Sequence, residues 1–178
     1  MNPEVLKRYE DIALSDKDIL KLLEHRAVIH LYPQLHYFST IDQLLGHFGA
    51  CILLFEAQKN YGHWCCVWKL NPSTVSFFNP YGGYPDDSLE YINDSYRKRS
   101  YQDNPLLSEL LLASPYELTY NDVAYQKHSK NIRTCGRHCV VRLWNRNMTD
   151  EEYDDYIKHN CQLYKVNPDE LVTLLTSV

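Results

Sequence analysis

Apolar positions along the chain fall into two spacings, and the change between them separates predicted strands from predicted helices. Residues 50–57 form an almost continuous apolar run, which is typical of a central strand covered on both faces. Residues 63–70 and 74–81 have strand composition, and the Asn-Pro-Ser stretch between them is a turn signal. Shorter strands are predicted at residues 28–31 and 116–120. The hairpin connection predicts a mostly antiparallel central sheet.

Helical spacing and capping residues flank these strands. Ser15, followed three residues later by Asp18, precedes the apolar series 19–23, and Thr149 and Asn167 stand in the same place before two later helices. Further helices are predicted from Ser39 to Gly46 or Gly49 and at residues 86–99, 105–113 and 135–147. The chain has no repeat, linker or low-complexity segment. Residues 1–178 are therefore predicted to form one α+β domain, with its core at residues 50–147.

Composition narrows the class of protein. With 178 residues, 44% hydrophobic and 23% charged, the chain has the profile of one soluble globular domain. A net charge of -5 argues against a nucleic-acid partner, and the basic cluster at residues 97–99 fits a solvated helix end. The first residues lack the pattern of a signal peptide, and no apolar run approaches membrane-spanning length. The sequence predicts a protein made in the cytosol, with no membrane partner.

The cysteines and histidines raise the alternatives of a disulfide framework or a metal site. Cys65 and Cys66 are neighbours in one predicted strand and point to opposite faces, so we expect free thiols in a reducing setting. Zinc-ligand types recur at His63, His138 and Cys139, yet no spaced C-x₂-C pair occurs. The sequence therefore predicts no metal and no cofactor.

Cys135 has the placement of a catalytic thiol. It begins the predicted helix 135–147, where the positive end of the helix dipole favours thiolate over thiol. The free amides of Gly136 and Arg137 could receive an oxyanion, and Gly136 would let a substrate backbone approach closely. Cys139, one turn later, is the competing nucleophile, but it lies inside the helix and fits a packing role. In the alternative interpretation, Cys135 is itself a buried small hydrophobe.

The predicted hairpin supplies a base. If Leu70 pairs with Thr74 across the turn, His63 and Asn79 become diagonal neighbours on one face of the sheet, about 7–8 Å apart between backbones. The Asn79 amide oxygen would then accept the ring N–H of His63 and fix its tautomer. A Cys–His pair with an orienting Asn is a working form of the nucleophilic triad. Taken separately, His63 could be a strand-end histidine and Asn79 a turn residue. Two acidic alternatives to Asn79 follow in the loop, Asp86 and Asp87.

Three short motifs occur in the order His, Asn, Cys. They are Gly62-His63-Trp64, Phe77-Phe78-Asn79-Pro80-Tyr81-Gly82 and Thr134-Cys135-Gly136. In these motifs and their order, residues 50–147 resemble the superfamily that unites adenovirus protease (adenain) with SUMO-specific proteases and the related proteases of large DNA viruses. Papain-type enzymes have Cys before His in the chain, so this order separates them from the pattern.

The resemblance implies a cysteine peptidase in which His63 is the base, Asn79 orients it and Cys135 is the nucleophile. It also implies a glutamine before the nucleophile that completes the oxyanion hole. Gln126 is the nearest glutamine, at a spacing of nine residues that is longer than usual in the family, and Asn131 is the alternative. No cofactor is implied.

Trp64 resembles the family tryptophan that walls a narrow channel for small substrate residues such as glycine, although a core tryptophan on the strand is the other interpretation. The resemblance thus implies cleavage after Gly-Gly or Gly-x-Gly, with a viral structural precursor as substrate, in the host cell cytoplasm or the virion. An isopeptidase that removes ubiquitin or a ubiquitin-like modifier would use the same chemistry. A non-catalytic binding module on the same fold is the third possibility, and the presence of the whole triad disfavours it. The oligomeric state stays open.

Overall fold

The computed structural model of the chain describes residues 1–177, and a mixed sheet forms its central layer. The strands are β1 Val28–Leu31, β2 Ala50–Gln58, β3 Tyr61–Asn71, β4 Thr74–Phe78 and β5 Glu117–Tyr120, and they lie side by side in that order. β2, β3 and β4 pair antiparallel, whereas β1 runs parallel to β2 and β5 runs parallel to β4. The predicted antiparallel centre is confirmed, and the described sheet carries a parallel strand at each edge.

Helices flank this sheet, which confirms the single α+β domain. They are α1 Pro3–Glu10, α2 Asp16–Leu22, α3 Ile41–Leu45, α4 Asp94–Arg99, α5 Leu106–Leu112, α6 Cys135–Trp144, α7 Asp150–Tyr164 and α8 Pro168–Thr176. The predicted caps are confirmed: the side chains of Ser15, Thr149 and Asn167 accept backbone N–H groups at the starts of α2, α7 and α8. Among residues 1–177, no helix has the length and apolarity needed to cross a membrane.

The sheet is buried on both faces, as the apolar run at residues 50–57 predicts. Ile52, Leu54 and Trp64 face one core, which they share with α6, α7 and α8. The intervening residues, among them Leu53 and Cys65, face a second core with α3 and α5. The helix α6 begins at Cys135 and packs against β3, and its residues are buried from Cys135 to Leu143. Cys135 therefore lies at the N-terminus of a central helix, as predicted.

The β3–β4 hairpin has the predicted register beyond its turn, where Cys66 pairs with Phe78. The predicted pair of Leu70 with Thr74 is wrong, because Thr74 pairs with Asn71 and the ladder shifts by one residue next to it. This bulge in β3 takes up the extra residue and restores the predicted register along the rest of the hairpin. The histidine and the asparagine of the predicted triad consequently come together.

The single helix predicted at residues 86–99 is wrong. A 3₁₀ segment, Asp87–Tyr91, is followed by the separate helix α4. The break lies at Ile92 and Asn93, which leave the helical region with ψ of 132° and 131°. Asp86, where the predicted helix would begin, has a left-handed backbone with φ of 76°. The Asn93 side chain then accepts the backbone N–H groups of Ser95 and Tyr96, which caps α4.

Candidate active site

A cleft of about 820 Å³ opens where β3 and α6 begin, and it brings predicted site residues from four parts of the chain together. Its lining includes His63 and Trp64 from β3, Gln126 from the loop before α6, and Cys135 from α6 itself. Asn79 lies behind the cleft, with 2% of its surface exposed, and is bonded to His63. The five site residues predicted from the sequence thus surround a single cleft.

The Asn79 side chain fixes the tautomer of His63. His63 Nε2 lies 2.8 Å from Asn79 Oδ1, and the backbone N–H of Tyr81 donates to the same oxygen at 2.9 Å. A backbone N–H can only donate, so the atom between these two groups is the carbonyl oxygen of the amide. Asn79 Nδ2 in turn donates to Ser88 Oγ at 3.0 Å. His63 therefore carries its proton on Nε2, and Nδ1 remains free to act as a base.

Asn79 is held by a reciprocal pair of bonds with Asn121, which follows β5. The Asn79 backbone N–H donates to Asn121 Oδ1 at 3.0 Å, and Asn121 Nδ2 donates to the Asn79 carbonyl at 2.7 Å. The parallel pairing of β5 with β4 brings the two residues to the same end of the sheet. Sequence reasoning missed Asn121 and Ser88, since neither carries a local signal for contact with residue 79.

An aromatic stack covers His63. The ring of Tyr81 lies 4.4 Å from the imidazole of His63 at an interplanar angle of 15°, and the ring of His128 lies 3.9 Å from Tyr81 on a nearly parallel plane. The stack restricts the rotation of the His63 ring about its own axis, which complements the bond from Asn79. Tyr81 was absent from the predicted site, although its turn position after Asn79 was a usable signal.

Burial affects the protonation of both His63 and Cys135. It lowers the pKa of His63 to about 4, an effect that the Asn79 hydrogen bond partly opposes and the charges of His128 and His138 reinforce. Burial also raises the pKa of Cys135, although backbone groups of Trp64 and of the start of α6 lower it. The expected effect of the helix N-terminus on the thiol is therefore present, but burial outweighs it. Both pKa directions favour a neutral thiol and a neutral imidazole at neutral pH.

Gln126 lies in the cleft despite its long spacing from Cys135. Its backbone N–H donates to the Pro80 carbonyl at 2.9 Å, and the N–H of Tyr125 donates to the same oxygen at 2.8 Å. These two bonds hold the loop against the turn that carries Asn79. They bring Gln126 into the cleft although nine residues separate it from Cys135 in the sequence. Gln126 Nε2 makes one long bond of 3.4 Å to the Ile132 carbonyl, and its Oε1 has no partner among the described residues. The alternative, Asn131, is exposed and does not line the cleft.

The remaining residues singled out in the sequence are Cys139, Trp64 and Gly136, and they differ in whether they pack in the core or line the cleft. Cys139 is fully buried outside the cleft lining, and its thiol donates to the Trp64 carbonyl at 3.4 Å. Trp64 combines both predicted roles, because it lines the cleft and belongs to the core with 7% of its surface exposed. At Gly136, a Cβ would lie 3.2 Å from side-chain atoms of both Ile19 and Trp64. The glycine therefore permits close packing at the start of α6, and the close approach of a substrate backbone stays a prediction.

Comparison with known proteins gives a viral relative. No model of a known protein family matches the chain. Over 171 residues the chain is 53% identical to "Uncharacterized protein V9" of the Sputnik virophage. The match covers 96% of this chain and 98% of the virophage protein. The similarity therefore extends over the whole domain, including both the sheet and the helices that carry the cleft.

Proposed function

The chain belongs to the protein family of the Sputnik virophage protein V9, and we propose that it is a cysteine peptidase of viral origin. One observation carries this proposal: a histidine whose tautomer is fixed by an amide lines the same cleft as a cysteine at a helix N-terminus. A strand-end histidine with only a structural role would need neither the fixed tautomer nor the neighbouring thiol.

The proposed reaction follows from the protonation of the pair. His63 Nδ1 accepts the proton of the Cys135 thiol as the sulfur attacks the substrate carbonyl carbon. Because the thiol starts neutral, proton transfer accompanies the attack instead of preceding it. The amides of Gly136 and Arg137 and the Gln126 carboxamide receive the oxyanion. His63 then protonates the leaving amine, and water hydrolyses the thioester with His63 again as the base.

Gln126 suits the oxyanion role because its side chain is buried but weakly bonded. The single bond from Nε2 to the Ile132 carbonyl is 3.4 Å long, so an oxyanion can replace it at little cost. The backbone of the residue is held by Pro80, which keeps the side chain at the cleft while its amide group can reorient.

We assign the substrate to the precursors of viral structural proteins, cut after small residues of the Gly-Gly or Gly-x-Gly type. The whole-length relative from a virophage supports a viral setting, in the host cell cytoplasm or the virion. Trp64 beside Cys135 supports small residues, since a bulky side chain N-terminal to the cut would meet the indole. The same chemistry could act on conjugates of ubiquitin-like modifiers.

The test combines peptide reporters ending in Gly-Gly with electrophilic activity probes based on ubiquitin and SUMO, applied to the wild type, Cys135→Ala and Cys161→Ala. We expect reporter cleavage and covalent labelling that Cys135→Ala abolishes. Cys161→Ala is the control, because that thiol is partly exposed on α7 and lies outside the cleft. Modifier probes that label Cys135 without reporter turnover would favour the isopeptidase. A folded wild type inert in every assay would leave the non-catalytic binding module.

A further inference from the structure

The carboxylate of Asp169, near the start of α8, forms hydrogen bonds with three groups from two other segments of the chain. Thr134 Oγ1 donates to its Oδ1 at 2.6 Å, and His138 Nε2 lies 3.0 Å from the same oxygen. The backbone N–H of Lys127 donates to the other oxygen, Oδ2, at 3.0 Å. Only 3% of the Asp169 surface is exposed, so these bonds form in a region from which water is largely excluded.

The groups that donate to Asp169 belong to the two segments that flank the proposed position of the oxyanion. Thr134 immediately precedes Cys135, and Lys127 immediately follows Gln126. Resting on the proposed function, we infer that Asp169 is a positioning residue, which holds the Gln126 loop against the start of α6 so that side-chain and backbone donors converge on one point. This one carboxylate can hold the two segments together, because the Lys127 N–H donates to one of its oxygens and the Thr134 hydroxyl donates to the other.

The charge of Asp169 opposes activation of the sulfur, which argues for positioning. Burial raises the pKa of Cys135, and the negative charge of Asp169 raises it further. A residue that served the thiolate would carry the opposite charge. What a carboxylate offers here is two acceptor oxygens in one plane, and an amide offers only one. The geometry therefore explains why an acid stands at a position that is electrostatically unfavourable for the nucleophile.

The change Asp169→Asn separates the positioning effect of the carboxylate from the effect of its charge on the pKa of Cys135. With one oxygen, the asparagine cannot accept from both Lys127 and Thr134. The charge-assisted bond on one side of the site is therefore lost, and at best a weaker bond in the reverse direction, from the amide nitrogen to the Thr134 hydroxyl, replaces it. We expect kcat for a Gly-Gly reporter to fall about 30-fold or more, with KM within about twofold, because a misplaced oxyanion donor acts mainly in the transition state. Alkylation of Cys135 by iodoacetamide, read by mass spectrometry, needs no oxyanion hole. It should be as fast as in the wild type or faster, since the removed charge had raised the pKa of the thiol.

Thr134→Val is a second variant that removes one donor and keeps the charge, and we expect it to lower kcat in the same direction by a smaller factor. Asp86→Asn is the matched control, because the structure bonds His63 to Asn79 and bonds Asp86, the acidic alternative, to other groups. Asp86 is a half-buried acid outside the cleft that accepts from the Tyr32 hydroxyl at 2.6 Å and the Ser108 N–H at 2.8 Å. Its left-handed backbone suits asparagine, so turnover should stay within about twofold of the wild type.

An active wild type with unchanged turnover in Asp169→Asn and Thr134→Val would overturn the inference and leave the proposed peptidase intact. Parallel losses of turnover and alkylation would also overturn it, because they indicate general disorder of the site. A wild type without peptidase activity would overturn the proposed function and this inference together.

Discussion

Asn79 joins two roles that looked like alternatives in the sequence. Its Oδ1 accepts the Tyr81 N–H two residues on, which is the bond of an Asx turn, and it accepts the His63 Nε2–H as well. The turn bond makes the bond to His63 unambiguous, since it decides which end of the amide faces the imidazole. The turn residue and the orienting residue are therefore the same feature of the molecule.

Replacement of Asn79 tests this orienting role. Asn79→Ala should lower kcat/KM by about one to three orders of magnitude with the fold intact, because the wrong tautomer of His63 becomes accessible. The wild-type rate should rise with pH through the pKa of His63, about 4, and then level off. Asn79→Asp should move this acid limb to higher pH, because a carboxylate beside the ring stabilises the protonated imidazole. Ser88 can donate to the new oxygen, so the exchange leaves no unpaired group. A pH–rate profile identical in all three proteins would remove Asn79 from the triad.

The two cysteines of α6 give a second prediction at this scale. Cys135→Ala should remove all measurable turnover, whereas Cys139→Ala should keep most of it, because the Cys139 thiol is fully buried and bonded to the Trp64 carbonyl. A modest loss of stability is expected in Cys139→Ala, on the order of 1 kcal/mol from the small cavity. Equal loss of activity in both variants, with both folded by circular dichroism, would mean that the nucleophile is misassigned.

At the scale of elements, the β2–β3 pairing depends on Gly62. A Cβ on this residue would lie 1.8 Å from the Phe55 carbonyl oxygen, beside an irregularity of the ladder at Glu56. Backbone meets backbone there, so no side chain can turn away to make room. This close contact between the two backbones explains why a glycine precedes His63.

Gly62→Ala should lower the free energy of unfolding by about 3 kcal/mol or more, because the strands must move apart. Gly136→Ala is the matched comparison. There the contacts are side-chain atoms of Ile19 and Trp64 at 3.2 Å, and alanine gains helix propensity of about 1 kcal/mol. We expect Gly136→Ala to lie within about 1 kcal/mol of the wild type in urea denaturation. Similar losses in the two variants would contradict the assignment of Gly62 to a close backbone contact.

At the scale of the whole molecule, the cleft lies between units that are distant in sequence. The segment from Ala13 to Asp16 and residues of β1 line its length, whereas His63 and Cys135 come from β3 and α6. Trp64 stands where these walls meet, in contact distance of the start of α6. The shape of the cleft near the sulfur therefore depends on the packing of the entire domain.

This arrangement predicts a preference for glycine. Replacing the last Gly before the cut by Val should cost at least about 3 kcal/mol of transition-state binding, through steric clash with Trp64. The assay compares kcat/KM for matched peptides and modifier fusions that differ only at the two residues before the cut. The same Gly-to-Val change placed several residues after the cut serves as the control and should have a small effect. Comparable turnover of both substrates would return Trp64 to a core role only.

Local signals in the sequence determined the strands β2, β3 and β4, the caps of α2, α7 and α8, and the start of α6 at Cys135. These features depend on side-chain period, capping groups and turn residues within a few positions of each other, so one stretch of chain suffices to read them. The proximity of His63 and Asn79 could also be predicted, because one hairpin with a short turn carries both residues.

The tertiary structure decided the rest, because the groups concerned meet only after distant segments pack. Parallel addition of β5 brings Asn121 to Asn79, and the Pro80 carbonyl places Gln126 in the cleft. Burial, which no local pattern measures, raises the pKa of Cys135 and outweighs the lowering by backbone groups at the start of α6. The carboxylate of Asp169 reaches the loop and the helix from the far end of the chain. Hydrogen bonds and desolvation act through space, and the order of residues alone encodes neither distance nor dielectric environment.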